Sequence, residues 1–237
     1  MGRAFEVRKY AKEKTAAAKT KLYSKYGKEI YVAAKNGQPD PELNQELKRV
    51  IERAKKDQVP NDIINRAIEK ATGGSDENYI HARYEGFGPG NSMLIVDCLT
   101  DNVNRTYSEV RNCFNKTNSK LGVSGSVLHQ FSHQAVFVLK DVTEEDILMV
   151  AIDNDLDIID IENENDEVIV YADVSQYYKV KTALIEYNKD LEFVIDEITW
   201  IPFNYYTLTD EEQEVFDRLI IMLEDLEDVQ SISHNLE

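Results

Sequence analysis

Apolar positions recur every three or four residues through the first third of the chain, and every second residue through much of the remainder. The first spacing predicts amphipathic helices and the second predicts half-buried strands. A helix is predicted over 14–35, with Ala18, Leu22, Tyr26, Ile30 and Ala33 on its packing stripe and Asn36-Gly37 as its stop. A second helix is predicted over 41–56, capped by Asp40 and opened by Pro41, with Leu43, Leu47, Val50, Ile51 and Ala54 inward. Gln58-Val59-Pro60-Asn61 breaks it. A third helix then turns Ile63, Ile64, Ala67, Ile68 and Ala71 inward and ends at Thr72-Gly73-Gly74. None of the three can bury its stripe alone, so together they predict a small bundle.

Residues 73–78 read as a linker, after which the period changes to two. Strands are predicted at 79–86 and 92–100 around the turn Phe87-Gly88-Pro89-Gly90-Asn91, followed by a helix over 102–117 and a third strand at 127–131. The next block runs strand 134–139, helix 144–152, strands 157–161 and 167–171, helix 175–187 and strand 192–200. This is the β-α-β-β-α-β order of a ferredoxin-like fold. Thr143 with Asp146 marks the start of its first helix, and Thr209 with Glu212 opens a last helix before a short strand at 229–233. That tail has no domain of its own, but it supplies the helix and strand that the first α/β block lacks. The fold class is therefore α+β: a helical domain over 1–78, a discontinuous α/β domain over 79–132 and 203–237, and a ferredoxin-like domain over 133–202 inserted into it.

Charge divides along the same boundary. Residues 1–72 carry 17 basic and 10 acidic side chains, a net of +7, whereas the remaining residues carry 10 and 34, a net of -24. Such segregation points to a polyanion contact led by the N-terminal part. On the predicted first helix, Lys14, Lys21, Lys25, Lys28 and Lys35 fall within about 80° of one another, on a different stripe from the packing residues. Lys55 and Lys56 extend the candidate surface. Residues 1–12, also basic, are expected to form a short helix or an arm ordered by a partner. A solvated lysine face without a ligand is the competing reading.

Candidate chemistry adds little. His81, His129, His133 and His234 are scattered, neither Cys98 nor Cys113 belongs to a metal-binding pair, and no metal or cofactor is expected. Both cysteines read as free core residues, consistent with a reducing cytoplasm. No stretch reaches the roughly eighteen apolar residues that would span a membrane. The acidic run 224–228 lacks the ligand spacing of a calcium loop and reads as a solvated helix end. Gly86-Phe87-Gly88-Pro89-Gly90 lacks a phosphate-loop spacing, and Gly122-Val123-Ser124-Gly125-Ser126 lacks that of a nucleophile elbow. No catalytic residues are assigned, so the expectation is a protein that is not an enzyme.

Four segments carry a family resemblance: Tyr84-Glu85-Gly86-Phe87-Gly88-Pro89-Gly90-Asn91, Lys19-Thr20-Lys21-Leu22-Tyr23-Ser24-Lys25, Ala54-Lys55-Lys56 before Val59-Pro60, and Asn102-Val103-Asn104-Arg105-Thr106. With Gly122-Val123-Ser124-Gly125-Ser126, they make the full chain similar to the YebC/PmpR family, in its subgroup beginning Met-Gly-Arg. The resemblance implies a cytoplasmic, non-enzymatic protein with a helical domain and two α/β domains. It implies either a ribosome-associated translation factor that eases elongation, which is favoured, or a DNA-binding transcriptional regulator. A protein-interaction module with no nucleic-acid ligand is the third alternative. Phe87 is then a candidate stacking contact, with a turn residue packed on its own sheet as the alternative, and Asn102, Asn104 and Arg105 either cap the helix they open or are candidate polar contacts to the partner. The acidic α/β domains are candidates for a protein partner.

Overall fold

The computed structural model describes residues 16–74 and 77–237, and the predicted arm over 1–12 lies outside that range. The described chain forms two compact units, one containing residues 16–126 with 209–232, the other containing 127–208 with 233–237.

The first unit begins with three helices, α1 (Ala16–Asn36), α2 (Gln45–Lys56) and α3 (Asn61–Thr72). Their shared core holds Tyr26, Ile30, Ala33, Leu47, Val50, Ile51, Ala54, Ile64 and Ala67, the stripes read from the 3.6-residue period. The start of α2 differs from the expectation. Asp40 and Pro41 lie in a turn, and Asn44 is the cap: its side-chain oxygen accepts from Leu47 N at 3.0 Å while its amide donates to Ala33 O and Gln38 O at 2.8 Å each. Three hydrogen bonds from one side chain, two of them to the end of α1 and the turn after it, outweigh the local Asp-Pro signal. Leu43 accordingly sits outside the helix, 72 % exposed.

The same unit continues with β1 (Ile80–Phe87), β2 (Met93–Thr100), α4 (Val103–Lys116) and the two-residue strand β3 (Lys120–Leu121). After the other unit, α7 (Asp210–Glu224) and β8 (Val229–His234) complete its sheet, ordered β3-β1-β2-β8. The edge strand is thus 120–121, paired to Gly86 and Phe87. The strand expected at 127–131 is not formed as such: Leu128–Gln130 is a single 3-10 turn, and Phe131 already begins the next strand. Buried Val127 and Phe131 produce the apolar signal there without regular pairing across it. Tyr31 and Val32 of α1 pack on Leu99 of β2, so the bundle has a second apolar face against this sheet.

The second unit has the elements β4 (Phe131–Lys140), α5 (Glu144–Asp153), β5 (Ile158–Glu164), β6 (Glu167–Asp173), α6 (Tyr177–Tyr187) and β7 (Phe193–Pro202). Its antiparallel strand order β5-β6-β4-β7 is the ferredoxin-like one that the sequence order predicts. Ala135, Phe137 and Leu139 of β4 meet Val168 and Val170 of β6 on the side covered by Ile147, Val150, Val180 and Leu184. Val136, Val138, Ile169 and Tyr171 alternate to the opposite face and are also buried, which explains why β4 reads as a continuous apolar run. Both predicted capping boxes are present. Thr143 Oγ1 accepts from Asp146 N at 3.2 Å and Thr209 Oγ1 from Glu212 N at 3.3 Å, with the acid side chain returning to the cap in each case. No described helix is long and apolar enough to cross a membrane.

Candidate nucleic-acid interface

Helix α1 places its lysines in a row, because 21, 25 and 28 follow the four- and three-residue spacing of one helix face. That row faces the end of α7 and the segment after it. Lys21 is ion-paired with Asp225. Lys28 Nζ lies 2.8 Å from Asp228 Oδ1 and donates to Glu227 O at 3.2 Å, with only 14 % of the lysine side chain and 3 % of the aspartate exposed. Between them Lys25 is held below the ordinary lysine range by burial, an effect that nearby Glu224 opposes, and burial likewise raises the Glu224 carboxyl. Further along, Lys35 donates to Glu77 O at 2.6 Å and to Asn78 Oδ1 at 3.1 Å. Lys14 lies outside the described residues.

The acidic run 224–228 is solvated at Glu224, Asp225 and Glu227, as expected of it, but Asp228 is buried. A negatively charged helix C-terminus is unfavourable by itself, and the α1 lysines supply the compensating charge. The centre of the arrangement is Asp228. Beyond Lys28, its carboxylate accepts from Arg105 Nη2 at 2.6 Å, Thr106 Oγ1 at 2.8 Å and Thr100 Oγ1 at 2.9 Å. Burial alone would raise this carboxyl, but the donors from Lys28, Arg105, Thr106 and Thr100 outweigh it and hold it well below the usual carboxylate range. One side chain thereby ties α1, the end of β2 and the first turn of α4 to the residue before β8.

Arg105 also pairs with Asp101 at 2.8 Å, and Asn102 caps α4 by accepting from Arg105 N at 3.1 Å. Asn104 is exposed, and its carbonyl accepts from Ser108 Oγ at 2.8 Å. Among the cations of the bundle, Lys19, Lys55, Lys56 and Arg66 are exposed, and Lys48 lies 3.4 Å from Glu42. Lys55 and Lys56 occupy the last turn of α2, where the helix dipole favours positive charge.

Phe87 is half-buried at the end of β1, opposite Met93 on one side and Lys120 on the other. The glycines around it answer a packing need. A Cβ on Gly86 would stand 2.3 Å from Phe114 Cε1, and one on Gly88 would stand 2.4 Å from Ser92 Oγ. Gly86→Ala is expected to destabilise the protein by about 1–3 kcal/mol, through displacement of the fully buried Phe114 ring. Denaturant unfolding measures it. The loop Gly122-Val123-Ser124-Gly125-Ser126 hangs on buried Glu85, whose carboxylate accepts from Gly125 N at 2.6 Å and whose carbonyl accepts from Gly122 N at 2.8 Å. Gly125 has φ +83°, a conformation that glycine adopts without strain.

Cys98 and Cys113 are buried and unbridged. Burial pushes the Cys98 thiol up to about 12, so it stays protonated and serves as a small apolar residue. Among the described residues, no group of three or more His, Cys, Asp or Glu side chains could hold a metal ion.

Residues 3–74 match the TACO1/YebC protein N-terminal domain, and residues 79–236 match the TACO1/YebC second and third domain. The chain belongs to the TACO1/YebC family. It is 55 % identical to a probable transcriptional regulatory protein of Alteromonas mediterranea, over 99 % of this chain and 98 % of that one. It is 56 % identical to a probable transcriptional regulatory protein of Acholeplasma laidlawii, over 100 % and 98 %. Its fold is similar to that of a conserved hypothetical protein of Aquifex aeolicus, with a TM-score of 0.79 and 35 % identity over 94 % of this chain and 92 % of the other. The TACO1/YebC match thus spans the helical part and both α/β parts, and these two relatives carry the name probable transcriptional regulatory protein.

Proposed function

We propose that this chain is a non-catalytic regulatory protein of the cytoplasm that binds nucleic acid through the exposed cations of its helical bundle, and that it acts in translation, on the ribosome, to ease elongation. The supporting observation is the distribution of positive charge. Lys19, Lys55 and Arg66 are exposed on a segment of net +7, whereas Lys21, Lys25 and Lys28 face acids of the same chain. Phosphate contact by such cations positions the protein without reading sequence. A net of -24 elsewhere repels a bare duplex, while a ribonucleoprotein surface presents RNA beside basic protein. Phe87 is available as a stacking contact from the hairpin, and exposed Asn104 as a polar one.

One observation favours a second reading. Helix α3 exposes Asn65 and Arg66, the residue types that read base edges, which suits the transcriptional role carried in the relatives' names. The two are separated by competition. Purified ribosomes, a promoter duplex and a random duplex are titrated against the full chain at matched salt. The translation reading predicts tighter binding to ribosomes and no preference between the duplexes; strong promoter preference without ribosome binding overturns it.

A further inference from the structure

Helix α5 carries an apolar surface that the fold does not use. Its inner side is Ile147 and Val150, buried at 1 % and 4 %, yet Leu148, Met149 and Ile152 are 45 %, 55 % and 77 % exposed. On a helix these three lie on the side turned away from the Ile147/Val150 core. Tyr187 of α6, itself half-exposed, donates its hydroxyl to Asp146 of α5 at 2.8 Å and so stands beside this surface. Apolar side chains grouped in this way on a soluble helix mark a contact site more often than isolated ones do.

The surroundings specify the partner. α5 contains Glu144, Glu145, Asp146 and Asp153 and no basic residue. The described part of its unit, residues 127–208 with 233–237, holds 19 acidic and four basic side chains, a net of -15. An apolar strip rimmed by carboxylates is complementary to a segment with an apolar stripe between lysines or arginines.

We infer that the outer face of α5, centred on Leu148, Met149 and Ile152, docks a basic amphipathic segment of a partner protein. Apolar contact supplies the affinity, and the acidic rim supplies the attraction and selects against acidic partners. The site is distinct from the cationic bundle and gives the chain a protein contact beside its nucleic-acid contact.

The test uses the full chain and a synthetic leucine–lysine peptide that forms an amphipathic helix, beside a scrambled peptide of the same composition that has no apolar stripe. Binding is followed by fluorescence anisotropy at several salt concentrations. The amphipathic peptide is expected to bind more tightly than the scrambled one. Met149→Gln with Ile152→Gln, which leaves the charge and the buried side unchanged, is expected to weaken it by about tenfold or more. Glu145→Gln with Asp153→Asn is expected to flatten the salt dependence. Equal binding of the two peptides, or unchanged affinity in the Met149/Ile152 variant, overturns the inference. So does a concentration-dependent dimer of the chain that the same variant abolishes, because the occupant would then be a second copy.

Discussion

Asp228→Ala is expected to destabilise the protein by about 3–5 kcal/mol, the range for breaking a buried ion pair by removing one partner. Lys28 is what makes the loss large. Its side chain is 14 % exposed, and without Asp228 its charge is left in a poorly solvated place, whereas Arg105, 43 % exposed, retains water and Asp101. Thr100 and Thr106, both buried, also lose their acceptor, although Thr106 Oγ1 keeps a bond to Asn102 O at 3.1 Å. For a chain of this size the change corresponds to a fall in Tm of roughly 6–20 °C. Asp228→Asn is expected to cost less, since it preserves the oxygen toward the threonines but not the charge toward Lys28.

The same residue sets a pH dependence. The folded-state pKa of Asp228 is depressed, so its contribution is fully present above the unfolded value of about 3.9 and is lost as pH falls below it. Thermal unfolding of wild type and Asp228→Asn should therefore differ most at neutral pH and converge in acid. A gap that is constant from neutral pH down through the acid range would show that the carboxylate charge is not what stabilises the fold.

Replacing Lys19, Lys55 and Lys56 together with Gln is expected to have the largest effect on binding. All three are exposed, Gln keeps a good helix propensity, and the bundle core is untouched. Three phosphate contacts on single-stranded RNA account for about two units in the slope of log affinity against log salt. The affinity should then fall by about a hundredfold at 0.1 M salt and approach the wild-type value toward 1 M. Circular dichroism and an unchanged Tm would show that the loss lies in binding.

Much of this architecture is legible from local signals, since the bundle stripes, both capping boxes and the ferredoxin-like order all depend on residues close together in the chain. The Asp40-Pro41 helix start fails because Asn44 forms hydrogen bonds back to Ala33 and Gln38 that no local pattern reveals. The five-lysine face of the first helix is visible in the sequence, but its environment is not. Lys21 and Asp225 are 204 positions apart, and Lys28 and Asp228 are 200 apart, so periodicity within either helix says nothing about their meeting. A signal for it does exist: an acidic helix end, unfavourable in isolation, and a lysine row of similar length call for each other. Asn102 and Arg105 read in the sequence either as part of a helix cap or as partner contacts, and the structure uses Asn102 as the cap of α4 and Arg105 as a ligand of Asp228, a partner 123 positions away that no local pattern reveals.

In the proposed function the α1 lysines pair with acids of the same chain, and the exposed cations of the bundle meet the polyanion. The most direct test compares salt titrations of ribosome binding for wild type, Lys19→Gln/Lys55→Gln/Lys56→Gln and Lys21→Gln/Lys25→Gln. The account predicts a slope reduced by about two units in the first variant and nearly unchanged in the second. A full slope in the first variant with the loss appearing in the second would contradict it.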